Sequence, residues 1–334
     1  MDLTDPAAVS GPEWPMHGLA DDMRPALEQA LAQGPAALAT IVALEGGGPR
    51  PVGTQMVFAQ GFVAGFLSGG CIEGDVELHA RAVLETGSPK RLVYGEGSPW
   101  PDIRLLCGAR IEILVERLNA DDGSVRDLLT HARKRRPALW FTDGTRRVCA
   151  PVGATPVPWP GVFVRTFDPV PRLVVMGGDP TALALASLGV QAGFETTLVR
   201  PKGPMAAPPL PGVRYSREAP GPALAAAGLD AWTAVAVCSH DMALDHEALL
   251  AALPSPAPYV GLLGARRRLS ERLLALKADG LTERDLAKLR APIGLDLGGK
   301  APFEVAVAVI GEIIATRNGQ PALERRAPSE AVPL

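Results

Sequence analysis

The sequence predicts an α/β protein of two domains: an N-terminal mixed α/β domain and a C-terminal doubly wound parallel sheet. Three observations carry this. A chain of 334 residues is long enough to bury two separate cores. From Arg172 onwards, short apolar runs alternate with segments of helical spacing, which implies parallel strands with helices on both faces. Between the halves, residues 151–171 hold six prolines and show no helical or strand period, which reads as a linker. The expected organisation is therefore a domain at 22–150, the linker at 151–171 and a second domain at 172–319, with flexible tails at 1–21 and 320–334.

In the first half, residues 22–33 form a predicted helix closed by Gly34-Pro35. Residues 36–44 are an apolar strand, followed by the loop Glu45-Gly46-Gly47-Gly48-Pro49-Arg50-Pro51-Val52-Gly53. Residues 54–59 and 62–67 read as two short strands joined at Gln60-Gly61. Ile72, Val76, Ala80 and Val83/Leu84 then recur at helical spacing. A second turn, Leu105-Leu106-Cys107-Gly108, precedes a strand with Ile111, Ile113 and Val115 on one face. A helix at 124–135 and a hairpin at 137–148, turning at Asp143-Gly144, complete the domain. In the second half, strands are expected at 173–176, 196–199, 234–238 and 259–263. Helices are expected at 181–192 and at Pro302–Arg317, the latter with proline at its start and Glu304 in its first turn.

Composition limits the partners. With 33 basic and 36 acidic residues the net charge is −3, so there is no basic surplus for a nucleic-acid backbone. The N-terminal residues are acidic without an apolar core, and no run approaches the roughly twenty apolar residues of a membrane helix. Cys71, Cys107, Cys149 and Cys238 lie far apart, without the paired spacing of structural zinc sites. The expectation is a cytoplasmic protein with reduced thiols and neither nucleic acid nor membrane as partner.

The stretch Ser68-Gly69-Gly70-Cys71-Ile72-Glu73-Gly74-Asp75 is the most informative. It is a strand-to-helix turn with Cys71 at or just before the first helical residue. Free N–H groups and the positive end of the helix dipole attract anions there, and the same field favours a thiolate. A phosphorylated ligand, a soft metal or sulfur chemistry would suit such a loop. Cys149 and Cys238 fall in predicted strands and read as core.

The second half raises the question of nicotinamide binding. Its first strand ends in Gly177-Gly178-Asp179, where a dinucleotide fingerprint wants glycine at the place of Asp179, and its second strand ends in Val199-Arg200 rather than an acidic residue. NAD(P) is therefore disfavoured. Gly264 and Arg266, in Gly261-Leu262-Leu263-Gly264-Ala265-Arg266-Arg267-Arg268, lie where a strand runs into a helix, a placement that suits phosphate. Ser239-His240-Asp241 follows the Cys238 strand; Ser239 reads as an N-cap and His240 as lining the sheet's carboxyl edge.

Six motifs appear in one order: Glu45–Arg50, Ser68–Asp75, Leu106-Cys107-Gly108, Ser239-His240-Asp241, Tyr259-Val260-Gly261-Leu262-Leu263-Gly264 and Pro292-Ile293-Gly294-Leu295-Asp296-Leu297-Gly298. Together they resemble the XdhC/CoxI family, accessory proteins of xanthine dehydrogenase and related molybdenum hydroxylases. The resemblance implies a Rossmann-like second domain and a chaperone that binds molybdenum cofactor (molybdopterin, with or without a nucleotide). Such a chaperone supports the cofactor's sulfuration and hands it to an apo molybdenum hydroxylase, working as a homodimer beside a cysteine desulfurase. Site residues on that basis are Cys71 (also as a molybdenum contact), Ser68, Gly69, Gly70, Arg50, Cys107, Gly108, Gly264, Arg266 and His240. The chain departs from the family at Ala109, Asp179 and Arg200. Two enzymatic readings stand beside the chaperone: an NAD(P)-dependent oxidoreductase and a sulfurtransferase carrying a persulfide on Cys71.

Overall fold

The computed structural model describes residues 16–48, 50–98, 105, 108–154, 159–264 and 268–319. The chain divides into two compact units, Met1–Pro169 and Val170–Leu334.

The first unit is built on an antiparallel sheet of β1 (Ala36–Glu45), β2 (Gln55–Ala59), β3 (Phe62–Gly65), β4 (Lys90–Tyr94) and β5 (Arg110–Leu118). Their order is β3-β2-β1-β5-β4. Side chains of β1 alternate between two cores. Ala37, Ala39 and Ile41 pack with Val76, Ala80 and Val83 of helix α2 (Glu73–Thr86). Ala36 and Leu38 pack on the other face with Leu27 of α1 (Arg24–Leu31), Val125 and Leu128 of α3 (Gly123–Arg133) and Trp140. Because both faces are covered, β1 reads as a continuous apolar run. Gly87 ends α2 in the left-handed region, its N–H closing on Val83 at 2.9 Å.

Trp140 belongs to a second, three-stranded sheet, β7-β6-β8, formed by β6 (Ala138–Thr142), β7 (Arg147–Pro151) and β8 (Phe163–Phe167). Strand β8 corrects the expectation of a structureless linker at 151–171. Between Pro160 and Pro169 five residues pair antiparallel with β6, Trp140 opposite Arg165, and so belong to the first unit. Alternate side chains of β8 are half-buried or buried, a period of two that the flanking prolines obscure in the sequence. The buried Glu116 of β5 accepts from Thr142 at 2.9 Å and from Arg147 at 3.1 Å, joining the two sheets.

The second unit is a six-stranded parallel sheet with the order β11-β10-β9-β12-β13-β14. Its strands are β9 (Arg172–Met176), β10 (Glu195–Val199), β11 (Arg214–Ser216), β12 (Thr233–Val237), β13 (Tyr259–Leu262) and β14 (Leu289–Arg290). This is the doubly wound dinucleotide-fold order, with its topological switch point between β9 and β12. One face is covered by α4 (Pro180–Gln191) and α9 (Pro302–Arg317). The other is covered by α5 (Pro220–Ala227), α6 (Met242–Ala252) and α7 (Leu269–Ala278). Buried Glu312 of α9 accepts the Tyr259 hydroxyl at 2.7 Å and the Gly294 N–H at 2.8 Å. Those bonds, and the close approach of Gly294 to Ala308, fix the Pro292–Gly298 motif as a structural brace for α9.

Candidate functional site

Strand pairing brings the motifs of the first unit to one end of its five-stranded sheet. Glu45 pairs with Arg110, Tyr94 with Ile111, and Met56 with Gly65. The Arg50 loop therefore leaves β1, the Cys71 turn leaves β3, and the Gly108 turn enters β5, all at the same end. Gly46 lies close to the Gly108 turn: a Cβ at Gly46 would stand 3.6 Å from the Gly108 carbonyl oxygen. Gly108 itself turns back on Leu105, its N–H donating to the Leu105 carbonyl at 2.9 Å. Pro49, Leu106 and Cys107 lie outside the described residues.

At the Cys71 turn the structure corrects the sequence reading. The donors expected to be free are taken by Glu73, the first residue of α2. Its Oε1 accepts from the N–H of Leu67 at 3.0 Å and of Ser68 at 2.6 Å. Its Oε2 accepts from the Ser68 hydroxyl at 2.7 Å, the Gly70 N–H at 3.0 Å and the Ile72 N–H at 3.2 Å. The Cys71 N–H donates to Ser68 Oγ at 3.2 Å. The anion of this turn is thus built into the chain, and a ligand anion must displace it. Burial pushes the Glu73 carboxyl up, but the Ser68 hydroxyl and the surrounding N–H groups outweigh it and hold the acid below its usual range. The signal was present in the motif: a glutamate at a helix start can reach back to the turn before it.

Gly69 and Gly70 have φ of 127° and 97°, a region that disfavours any side chain, and a Cβ at either would meet nothing within 4 Å. The space beside Cys71 is open, and its side chain is exposed and in no disulfide. One turn along α2, Asp75 accepts the hydroxyl of fully buried Tyr94 at 2.6 Å. Burial, then Asp75, then Glu73 push the Tyr94 phenol far up, so it serves only as a neutral donor. Tyr94 is a support that the motif pattern did not reveal.

In the second unit, Gly177–Asp179, His240 and Gly264 all stand at the carboxyl edge of the sheet, after β9, β12 and β13. Asp179 is the N-cap of α4: its Oδ1 accepts the Ala182 N–H at 2.8 Å, and its Oδ2 meets His240 Nε2 at 3.0 Å. The carboxylate in the dinucleotide turn therefore has two internal duties. Arg200 lies over the same turn, where a Cβ at Gly178 would sit. Gly177, with φ of 149°, lets β9 approach the Cys238 carbonyl within 2.5 Å of where a Cβ would stand. Asp241, rather than Ser239, caps α6, accepting from Ala243 at 2.9 Å and Leu244 at 3.2 Å. Ser239 instead donates to Asp245 at 2.5 Å. Arg266 lies outside the described residues; Gly264 is exposed, with open space around its Cα.

Cys149 and Cys238 behave as packing residues. Cys238 is 1% exposed, and burial pushes its thiol far up. Cys149 sits in β7, its thiol raised to about 11 by burial and by Asp127. Among the described residues, no group of three or more His, Cys, Asp or Glu is arranged to hold a metal ion, and no helix is long and apolar enough to cross a membrane.

A two-domain α/β chain, with its glycine turns gathered at one sheet end and a doubly wound second unit, matches known proteins along nearly its whole length. The family model for the XdhC and CoxI family matches residues 30–95, and that for the XdhC Rossmann domain matches residues 173–313. The molybdenum cofactor insertion chaperone PaoD of Escherichia coli (strain K12) is 31% identical over 307 residues, covering 90% of each chain. A protein of Bacillus subtilis (strain 168), described as a probable xanthine dehydrogenase component, is 26% identical over 84% of this chain and 93% of its own. A crystal structure described as a xanthine dehydrogenase from Bacillus halodurans has the same fold, with a TM-score of 0.71 at 22% identity, over 91% of this chain and 98% of that one. The chain belongs to the XdhC and CoxI family.

Proposed function

We propose that this protein is a molybdenum cofactor-binding chaperone. In this reading it protects the cofactor, supports its sulfuration and inserts it into an apo molybdenum hydroxylase of the xanthine dehydrogenase type. The observation that carries the reading is the similarity to a molybdenum cofactor insertion chaperone along nine-tenths of both chains. The first-unit geometry is compatible with it: an exposed thiol stands on a turn whose glycines leave open space beside it. A thiol is a soft ligand suited to a dithiolene-bound metal, so Cys71 is assigned as the molybdenum contact.

Under this reading Ser68, Gly69 and Gly70 shape the seat of the cofactor, with Glu73 holding the turn until the ligand arrives. Arg50 and Gly108 border the same sheet end, while Gly264 and His240 face ligand at the carboxyl edge of the second unit; Cys107 and Arg266, outside the described residues, join the proposed site on the family resemblance. The client hydroxylase, a cysteine desulfurase and a second copy of the chain are the proposed partners, in the cytoplasm.

The test is metal and pterin analysis of protein co-expressed with cofactor biosynthesis, wild type beside Cys71→Ala. Molybdenum and pterin near one per chain, lost in the variant, is the expected result. Retention in the variant removes Cys71 from the site but keeps the carrier. Absence from both, under conditions that load a known carrier, overturns the chaperone.

A further inference from the structure

The first unit carries an open cavity of about 470 Å³ between the Arg50 loop and strand β8. Asp21, Arg50, Gly53 and Thr54 line one side, and Arg165 and Thr166 the other. It lies at the sheet end that carries the Cys71 turn, toward the three-stranded sheet and away from α2.

Two guanidinium groups border this cavity with unmet hydrogen-bonding capacity. Arg50 Nε and Arg165 Nη1 are both shut off from solvent, and neither has a hydrogen-bond partner among the described residues. Buried donors on cations are rarely left this way, because the desolvation is uncompensated. The surrounding charge compensates them only in part. Asp22 is committed to Arg24, gripping its Nε and Nη2 at 2.8 Å each. Asp21 pairs with Arg50 but is 82% exposed, so water can readily take its place. Arg165 has no ion pair among the described residues; its guanidinium lies 4.2 Å over the Phe167 ring and its stem runs past Gly53. Burial pushes that guanidinium down to about 10, with Asp22 and Asp21 pulling it up and Arg24 pushing it further down. Three cations thus stand against two carboxylates around an open space.

We propose that this cavity seats the phosphate group of a small phosphorylated ligand, held in the fork of Arg50 and Arg165. The planar guanidinium matches phosphate oxygens two at a time, which neither water nor a single lysine reproduces. Thr54 and Thr166 also line the cavity. The volume falls within the range of small-molecule sites, leaving room for more than the phosphate itself. A phosphate entering here takes the Arg50 fork from Asp21, which swings into solvent. The pocket stands on its own geometry, and only the naming of molybdopterin's phosphate as its occupant rests on the chaperone reading.

The experiment is calorimetric titration of the full chain with phenyl phosphate and, separately, benzoate, at low and high salt. Phenyl phosphate is expected to bind more tightly than benzoate, with an affinity that weakens as salt rises. Arg165→Met and Arg50→Met should each lower that affinity about tenfold or more, whereas Arg200→Met, in the other unit, should leave it unchanged. Arg165→Lys should recover only part, because an ammonium lacks the fork. Arg165→Met should also melt no lower than wild type, since it removes an uncompensated buried charge. If that variant does not fold, Arg165→Lys and Arg50→Met carry the comparison.

No binding of phenyl phosphate up to about 10 mM, or binding indifferent to both arginines, overturns the proposal. Equal binding of benzoate overturns the phosphate assignment. Molybdenum and pterin loading of the same variants separates the two readings. A wild type that binds phenyl phosphate but never loads cofactor sinks the chaperone and leaves the pocket. Full loading in variants that have lost phenyl phosphate binding shows that the pocket does not serve the cofactor.

Discussion

Glu73 and Ser68 are joined twice: the glutamate accepts the serine N–H at 2.6 Å through one carboxylate oxygen and the serine hydroxyl at 2.7 Å through the other. This pair turns an apparent anion-binding loop into a closed one. The Cys71 turn is held by an internal carboxylate, so its rigidity and its charge are both set before any ligand arrives.

Replacing that carboxylate tests the arrangement. Glu73→Ala should cost about 1–3 kcal/mol, because several part-buried donors lose their acceptor together. Chemical denaturation of the full chain reads this directly. A cost below about 0.5 kcal/mol would mean that water replaces the carboxylate without loss.

The same group gives a pH dependence of defined sign. Its folded pKa is depressed, so its contribution is complete above the unfolded value of about 4.3 and is lost as pH falls through the folded value. The stability gap between wild type and Glu73→Gln should therefore narrow as pH drops from about 6 towards 3.5. A gap that stays constant or widens would contradict the assignment.

Thiol labelling should separate the cysteines. Cys71 is exposed and should be alkylated in the native protein, whereas Cys238, 1% exposed with its thiol pushed up by burial, should react only on unfolding. Site assignment by mass spectrometry after brief treatment with iodoacetamide decides the matter.

At the carboxyl edge of the second unit, Asp179→Ala should destabilise by about 0.5–2 kcal/mol through loss of the α4 cap, while Asp179→Asn should be nearly neutral. If both cost the same, the contact with His240 at 3.0 Å outweighs the cap.

Glu312→Ala should be the most damaging of these changes, near the upper end of about 1–3 kcal/mol. It strands a buried tyrosine hydroxyl and a buried N–H in the brace under the Pro292–Gly298 motif. Thermal melting compared with Glu312→Gln, which keeps one acceptor, measures this.

Much of the fold was legible from local pattern. The β2–β3 hairpin, the α2 periodicity and the strand–helix alternation of the second unit fall where apolar spacing puts them, and Pro302–Arg317 is a helix with the expected ends. Strand β8 was hidden because two prolines frame it and its partner, β6, lies more than twenty residues away in the chain. Strands β11 and β14 escaped notice because three and two residues are too few to show a period.

For the site, the chain order of the motifs was enough to name candidates, since glycine at a forced turn and a thiol beside it are local facts. Which donors are free is not a local fact. Glu73 folds back on the turn that precedes it, Asp179 divides its two oxygens between a helix start and His240, and Arg165 comes from a strand far along the chain to line the same cavity as Arg50. The first of these was within reach of the sequence, but the contact across 61 residues to His240 and the approach of β8 to the Arg50 loop depend on strand pairing that spacing along the chain cannot supply. Residue types and turns were therefore written in the sequence, while the packed chain settled which of its anion-seeking groups were already satisfied.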